Sequence, residues 1–252
     1  MNNVLEVEHV VKEYESGVRA VDDVSFCLPR GGFWSIMGAS GSGKTTLLNL
    51  IATIDRLSAG TISVRGQSLA ELKEEELACF RREHLGFIVQ DYNLLDTLTL
   101  RENIALALTI QKWSKQKITQ RVTAMAGALG IQDVLDQFPY QVSGGQRQRC
   151  ACARALAAEP ELVLADEPTG ALDSQSAQIF MAKLGRLNRE LNTTILMVTH
   201  DALSASHSEH ILFMCDGRIV GELRRGDKDR WAFFLEILDW QAGMIGRGNH
   251  VS

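Results

Sequence analysis

Residues 38–45 read GASGSGKT, directly after the apolar run FWSIM and directly before TLLNLIATI. This stretch restricts the fold more than any other in the chain. Three glycines within six residues belong in neither a helix interior nor a strand interior. They do allow the backbone to curl so that successive N–H groups point inward at an anion. The apolar run reads as a buried strand, and the segment that follows reads as a helix whose N-terminus faces the loop. Gly38, Ser40, Gly41, Ser42, Gly43, Lys44, Thr45 and Thr46 then form a phosphate cradle. Lys44 would reach the β- and γ-phosphates of a nucleotide, and the Thr45 hydroxyl would bind Mg2+.

A loop of this kind needs a carboxylate partner, and LVLADE supplies one at residues 162–167. A buried parallel strand would deliver Asp166 and Glu167 to its C-terminal end, where α/β sheets bind ligands. There Asp166 would hold the magnesium through water, and Glu167 would polarise the attacking water. His200 and Gln90 end two further apolar runs, ILMVT and GFIVQ. On residue type alone a histidine there is more often structural than catalytic, and the Gln90 amide could sense the metal or the water although glutamines at strand ends are common.

The remaining pattern fits an α/β fold. VLEVEHVVKEY, VDDVSFCL, GTISVRG and HLGFIVQ alternate as strands do. Residues 91 to about 160 are mostly helical in period, with 101–129 as the longest run. From ELVLADEP onward strands and helices alternate again, through TTILMVTHD to HILFMCDGRIVGEL. The expected organisation is a core over 1–90 and 161–225, a helical insertion over 91–160 and a tail over 226–252. In the tail, Trp231, Phe234, Leu235 and Leu238 fall at i, i+3, i+4, i+7 and predict an amphipathic helix. Glu236 and Asp239 among its polar positions point to a cap on the core or on a dimer mate, not to a membrane surface.

The net charge of −5 gives no bulk basic surface, so no nucleic acid partner is expected. No apolar run approaches the length of a membrane span, and the N-terminus does not resemble a secretory signal, so a cytosolic chain is expected. The cysteines, at 27, 79, 150, 152 and 215, have no metal-ligand spacing and read as reduced thiols.

A second Ser-Gly-Gly, in VSGGQRQRC at 142–150, completes a series. GASGSGKT, Gln90, VSGGQ, LADEP, ALD and VTHD, in that order, resemble the ATP-binding cassette ATPases, the motor subunits of ABC transporters. The resemblance covers nearly the whole chain. It implies a P-loop NTPase core with a parallel sheet, an N-terminal antiparallel β subdomain and an inserted α-helical subdomain. It also implies a head-to-tail homodimer with ATP at the interface. Ser143, Gly144, Gly145 and Gln146, at a helix N-terminus, would close over the γ-phosphate held by the other copy.

Carried over by position, Glu167 resembles the general base and His200 the switch histidine. Gln90 resembles the glutamine that joins Thr45 and Asp166 at Mg2+ and couples the nucleotide to the membrane partner. Asp173 resembles the aspartate that acts across the dimer. Tyr14 resembles the aromatic that stacks on adenine, although a core tyrosine fits equally well. Val142 departs from the usual leucine and is expected to stay apolar and buried.

The resemblance further implies a separate integral-membrane permease, docked near Gln90 and the leucines of DYNLLDTLTLRENI, which would hold the chain at the cytoplasmic face of the membrane. FIVQDYNLLDTLTLRENIALALT and DEPTGALDS look most like the lipoprotein-release, macrolide-export and peptide-antibiotic subgroup. LRRGDKDRWAFFLEILDWQAG looks like its bacitracin-type branch, which is associated with signalling kinases. A sensor kinase reached through the permease is thus a further partner it allows. The alternative is a cell-division-type or lipoprotein-release ATPase that drives a membrane partner without moving a drug.

Overall fold

Two sheets and three hydrophobic cores set the position of every motif. The computed structural model describes residues 3–248; the last four residues of the expected tail lie outside them. β1 (Asn3–Glu13) and β2 (Arg19–Pro29) pair antiparallel. β3 (Phe33–Met37) follows and carries the apolar run into the glycine-rich loop. α1 (Lys44–Ile51) leaves that loop, and β4 (Ala59–Val64) returns to pair antiparallel with β1. With the short β5 (Gln67–Ser68) the first sheet has the order β2-β1-β4-β5. Val4, Leu5, Val7 and Val10 of β1 join Val21, Val24 and Leu28 of β2 in the core shared with α1.

α2 (Glu74–His84), not anticipated from the sequence, precedes β6 (Leu85–Val89). It buries little besides Phe80, so its apolar period is almost absent. The long helical run breaks into α3 (Leu100–Ile110) and α4 (Lys115–Leu129). Lys112 takes a positive φ of 60° between them, and the Ser114 hydroxyl caps α4 by accepting from Lys117 N–H. α5 (Gly144–Ala157) completes the helical insertion. It packs on α3 and α4 through Cys150, Cys152, Ala153 and Leu156. Burial pushes the Cys150 thiol up to about 12 and raises that of Cys152, so both are packing groups.

β7 (Leu162–Asp166), α6 (Ser174–Leu191), β8 (Thr194–Thr199), α7 (Ala202–Ala205), β9 (His210–Cys215) and β10 (Arg218–Arg224) finish the second sheet. Its order is β10-β9-β3-β8-β7-β6, parallel except for the edge strand β10. β3, β7 and β8 thus lie side by side, and their C-terminal ends bring Gly38, Glu167 and His200 to one edge.

α8 (Arg230–Gly248) corrects one expectation. A helix forms, but Trp231, Leu235 and Leu238 of the expected stripe are exposed. The buried face is Phe233 and Ile237, packed with Met37, Ala205, Ile211 and Phe213. Trp240 continues it at the i, i+4, i+7 spacing, stacking on Phe213 with ring centroids 3.6 Å apart. β10 admits the indole because residue 221 is glycine; a Cβ there would lie 2.4 Å from Trp240 Cζ2.

Phe233→Ala is therefore expected to destabilise the protein by about 3–5 kcal/mol. Trp231→Ala is expected to stay within about 0.5 kcal/mol of wild type. Denaturant melts of the two variants measure the difference, and equal losses would mean that α8 packs through its other face.

Candidate nucleotide-hydrolysis site

Two glycines of the loop, Gly38 and Gly43, run so close to the backbone of neighbouring strands that no side chain fits, while Gly41 faces open space with a φ of 81°. Gly43 has a φ of 99°, a region that L side chains avoid, and a Cβ there would lie 2.1 Å from the Ala20 carbonyl oxygen. Lys44 opens α1, and its Nζ donates to the carbonyl oxygens of Gly38 (2.9 Å) and Ala39 (2.8 Å). The ammonium is buried, and desolvation lowers its pKa while Glu167 and Asp166 act to raise it. Carboxylates thus offset part of the cost of placing a cation there.

Ser40, Gly41, Gly43, Lys44, Thr45 and Thr46 line a cavity of about 600 Å³, and Gln90, Glu167 and His200 close its other side. This is the size and chemistry of a pocket for a nucleotide's phosphates. Ser42 does not line the cavity. Its side chain is buried and its Oγ has no hydrogen-bond partner. Thr45 Oγ1 donates to Asp166 Oδ1 at 3.2 Å. Burial holds the Asp166 carboxyl above its ordinary range, and Glu167 adds to the rise, while Thr45 and Lys44 oppose it. The Thr45 hydroxyl, the Asp166 carboxylate and the Gln90 amide are hard oxygen donors. They fit Mg2+, which takes few protein ligands and keeps water and phosphate oxygens for the rest.

Glu167 follows β7 with a positive φ of 44°. Its N–H donates to the Val198 carbonyl oxygen at 3.0 Å, which fixes the turn against β8. The side chain is then held twice. Oε1 lies 2.9 Å from His200 Nδ1, and Oε2 accepts from Thr199 Oγ1 at 3.2 Å. The His200 ring is 69% exposed while Glu167 is 18% exposed, so the histidine is the side of the pair that an arriving group meets.

Other residues singled out in the sequence lie apart. Ser143, Gly144, Gly145, Gln146 and Asp173 do not line the loop cavity. Ser143 caps α5: its Oγ accepts from Gln146 N–H, and Gln146 Oε1 accepts from Ser143 N–H at 2.9 Å. Asp173 caps α6 by accepting from Ser176 N–H at 2.9 Å, and hydrogen bonds from Ser176 keep its carboxyl below the usual range. Tyr14 also lies off the cavity. Its hydroxyl donates to Asp55 Oδ2 at 3.1 Å, and Lys12 Nζ sits 4.8 Å from its ring centroid. Val142 is half-buried against the helical core.

The contacts that tie these parts together carried no local signal. Gln90 lies against Gly170, where a Cβ would come within 3.0 Å of its amide. Tyr92 Oη donates to the Ala171 carbonyl oxygen at 3.3 Å, and the Arg147 guanidinium lies 5.2 Å from its ring centroid. Arg154 donates to the carbonyl oxygens of Asn93 (2.6 Å) and Tyr92 (3.1 Å). The segment after Gln90 is thus bound at once to α5 and to the turn before Asp173. Of the leucines expected to face a partner, Leu95 is exposed, Leu94 and Leu98 are half-buried and Leu100 is in the core. Asn103, fully buried, holds this loop: it donates to the carbonyl oxygens of Leu95, Leu98 and Thr99 and accepts from Leu95 N–H.

A family model described as ABC transporter matches residues 21–170. The bacitracin export ATP-binding protein BceA of Halalkalibacterium halodurans is 46% identical over 246 residues, spanning 96% of this chain and 97% of that protein. The ABC transporter ATP-binding protein YxdL of Bacillus subtilis is 46% identical over 254 residues, spanning 100% of this chain and 98% of that protein. Among solved structures, the dimeric structure of MJ0796, a bacterial ABC transporter cassette, matches with a TM-score of 0.80 at 37% identity. The match covers 87% of this chain and 98% of that one.

Proposed function

Because the chain belongs to the ABC transporter family, as one of its ATP-hydrolysing cassettes, we propose that its turnover powers a separate membrane permease that exports or removes peptide antibiotics of the bacitracin kind. The observation that carries this reading is the 46% identity to the bacitracin-export relative over 96% of the chain, which reaches into the tail. No described helix is long and apolar enough to cross a membrane; the proposal places the permease on another chain, which holds this one at the cytoplasmic face. A sensor kinase reached through that permease belongs to the same proposal. The ranges 1–90 with 161–225, 91–160 and 226–252 are proposed as core, helical lobe and tail.

In this reading the loop amides and Lys44 bind the β- and γ-phosphates, and Tyr14 stacks on adenine. Thr45, Asp166 and Gln90 hold Mg2+, which supplies charge neutralisation at the phosphates. Glu167 takes the proton of the attacking water, and His200, on the exposed side of that pair, contacts the γ-phosphate. Two copies associate head to tail, in keeping with a solved relative that is a dimer. Ser143, the N–H groups of Gly144 and Gly145, and Gln146 then meet the other copy's γ-phosphate, and Asp173 acts across the interface. The capping box of Ser143 and Gln146 supports that role, because it presets the helix terminus before any anion arrives.

Lys44→Ala is expected to weaken ATP binding by about ten- to a hundredfold, the loss of one charge-assisted hydrogen-bond donor. A nucleotide titration checks it, and unchanged affinity would remove the loop from the phosphate site.

The proposal as a whole is tested by retrieving Glu167→Gln protein from native membranes with Mg-ATP and identifying what accompanies it. A large multi-spanning permease, with bacitracin sensitivity on disrupting the pair, is the expected result. A small division-type membrane protein, or unchanged sensitivity, would overturn the peptide-antibiotic reading.

A further inference from the structure

Away from the nucleotide cavity, three arginines from three different elements converge on one histidine. Arg189 lies near the end of α6, Arg225 just beyond β10 and Arg230 at the start of α8. With His207 they line a cavity of about 530 Å³ whose wall includes Ile179 and Ala182. Arg230 Nη1 donates to His207 Nε2 at 2.5 Å, and Arg225 Nη1 donates to the His207 carbonyl oxygen at 3.5 Å.

Three neighbouring cations are paired: Arg186 with Glu190, Arg224 with Glu222 and Lys228 with Glu236. Among the described residues, Arg189, Arg225 and Arg230 have no such carboxylate. Asp227 and Glu209, two residues from Arg225 and His207 respectively, form no ion pair with the three arginines among the described residues, and the next acidic groups are engaged at helix N-termini. Asp229 accepts from the N–H groups of Trp231 and Ala232, and Asp201 from those of Leu203 and Ser204. Burial first, and then the charges of Arg230, Arg225 and Arg189, depress His207 to about 4 against the opposing charge of Asp201. In a chain whose net charge is −5, this is a concentrated positive pocket with a neutral imidazole at its centre.

We propose that this junction of α6, α7 and α8 binds a phosphoryl-bearing anion, carried by a free metabolite or by a lipid headgroup, between Arg189, Arg225 and Arg230. Planar guanidinium forks arriving from separate elements can each offer paired donors to the oxygens of one tetrahedral anion. The ligand would bridge the helix capped by Asp173, the segment that follows His200 and the C-terminal helix. It would do so whatever cargo the ATPase drives.

Arg189 makes no side-chain hydrogen bond or ion pair among the described residues, so Arg189→Gln should leave the fold intact. Circular dichroism and ATP turnover verify this. Inorganic pyrophosphate is titrated calorimetrically into full-length protein saturated with ADP, so that the loop site is occupied, and binding is compared with the variant. Co-sedimentation with phosphatidylglycerol vesicles forms the second arm. An affinity for pyrophosphate that falls at least about tenfold in the variant assigns the site to a free phosphate. The His207 ring should also titrate higher when pyrophosphate is bound, because an anion screens the three cations. Vesicle binding that depends on Arg189, without pyrophosphate binding, assigns it to a lipid headgroup. Binding unaltered by Arg189→Gln in both arms, or absent from both, overturns the proposal.

Discussion

Glu167→Gln is expected to lower ATP turnover by about 10²–10⁴-fold, the range for removing a general base, while ATP affinity stays within a few-fold of wild type. The geometry separates the two effects. Glutamine has nearly the same shape, so the backbone turn fixed by the Glu167 N–H to Val198 bond need not move. One amide oxygen can still accept from His200 or from Thr199, the two groups that now hold the carboxylate. Basicity is lost, and with it the negative charge that Lys44 feels from this side. Asp166 still faces Lys44, so the phosphate cradle keeps its cation and one carboxylate. Binding without hydrolysis should therefore accumulate an ATP-loaded dimer, visible by size exclusion with Mg-ATP and absent with ADP. A variant that keeps more than about a tenth of the wild-type rate would move the base elsewhere. His200→Ala discriminates further. If histidine only positions the carboxylate and the γ-phosphate, its loss should be the milder, and a deeper loss would exchange the two roles.

The parts of this molecule readable in the sequence are those whose chemistry is local. The glycine-rich loop is specified by glycines and by the strand and helix that flank it, and LVLADE by four apolar residues ahead of two carboxylates. Both are contiguous, so a single stretch reveals them. The tail behaves differently. Its sequence offers two overlapping apolar stripes, Trp231-Phe234-Leu235-Leu238 and Phe233-Ile237-Trp240, and periodicity cannot choose between them. The choice is made by the β9–β10 surface, where the absence of a side chain at Gly221 leaves room for the Trp240 ring. α2 is hidden for the opposite reason: a helix covered with Glu and Arg that buries little beyond Phe80 leaves almost no apolar period. Gln90 was visible as a strand end, but its seat against Gly170, and the Tyr92 and Arg154 contacts around it, join residues about 60 to 80 positions apart. No local pattern encodes contacts of that kind.

That separation leads to the second large effect. Ser143 and its neighbours lie outside the cavity that holds Lys44, so within one chain the two glycine loops do not form a single pocket. If the signature loop acts on the other copy, Ser143→Arg should spare ATP binding by the monomer and abolish dimer turnover, since a bulky cation then occupies the helix terminus that receives the γ-phosphate. Mixing this variant with Lys44→Ala gives a stricter test. In a mixed dimer, one interface site pairs the damaged loop of one chain with the damaged signature of the other and is dead. The second site pairs the intact loop of the Ser143→Arg chain with the intact signature of the Lys44→Ala chain. Neither variant alone should turn over ATP, yet an equimolar mixture should recover up to about a quarter of the wild-type rate if the sites act independently, half of the dimers being mixed with one of two sites intact. Were both loops to serve the same chain, every site would carry one lesion and mixing would restore nothing. Recovery well below that ceiling but above zero would mean that the dead site slows the live one, a coupling within the dimer that titrating the ratio of the two variants would measure directly.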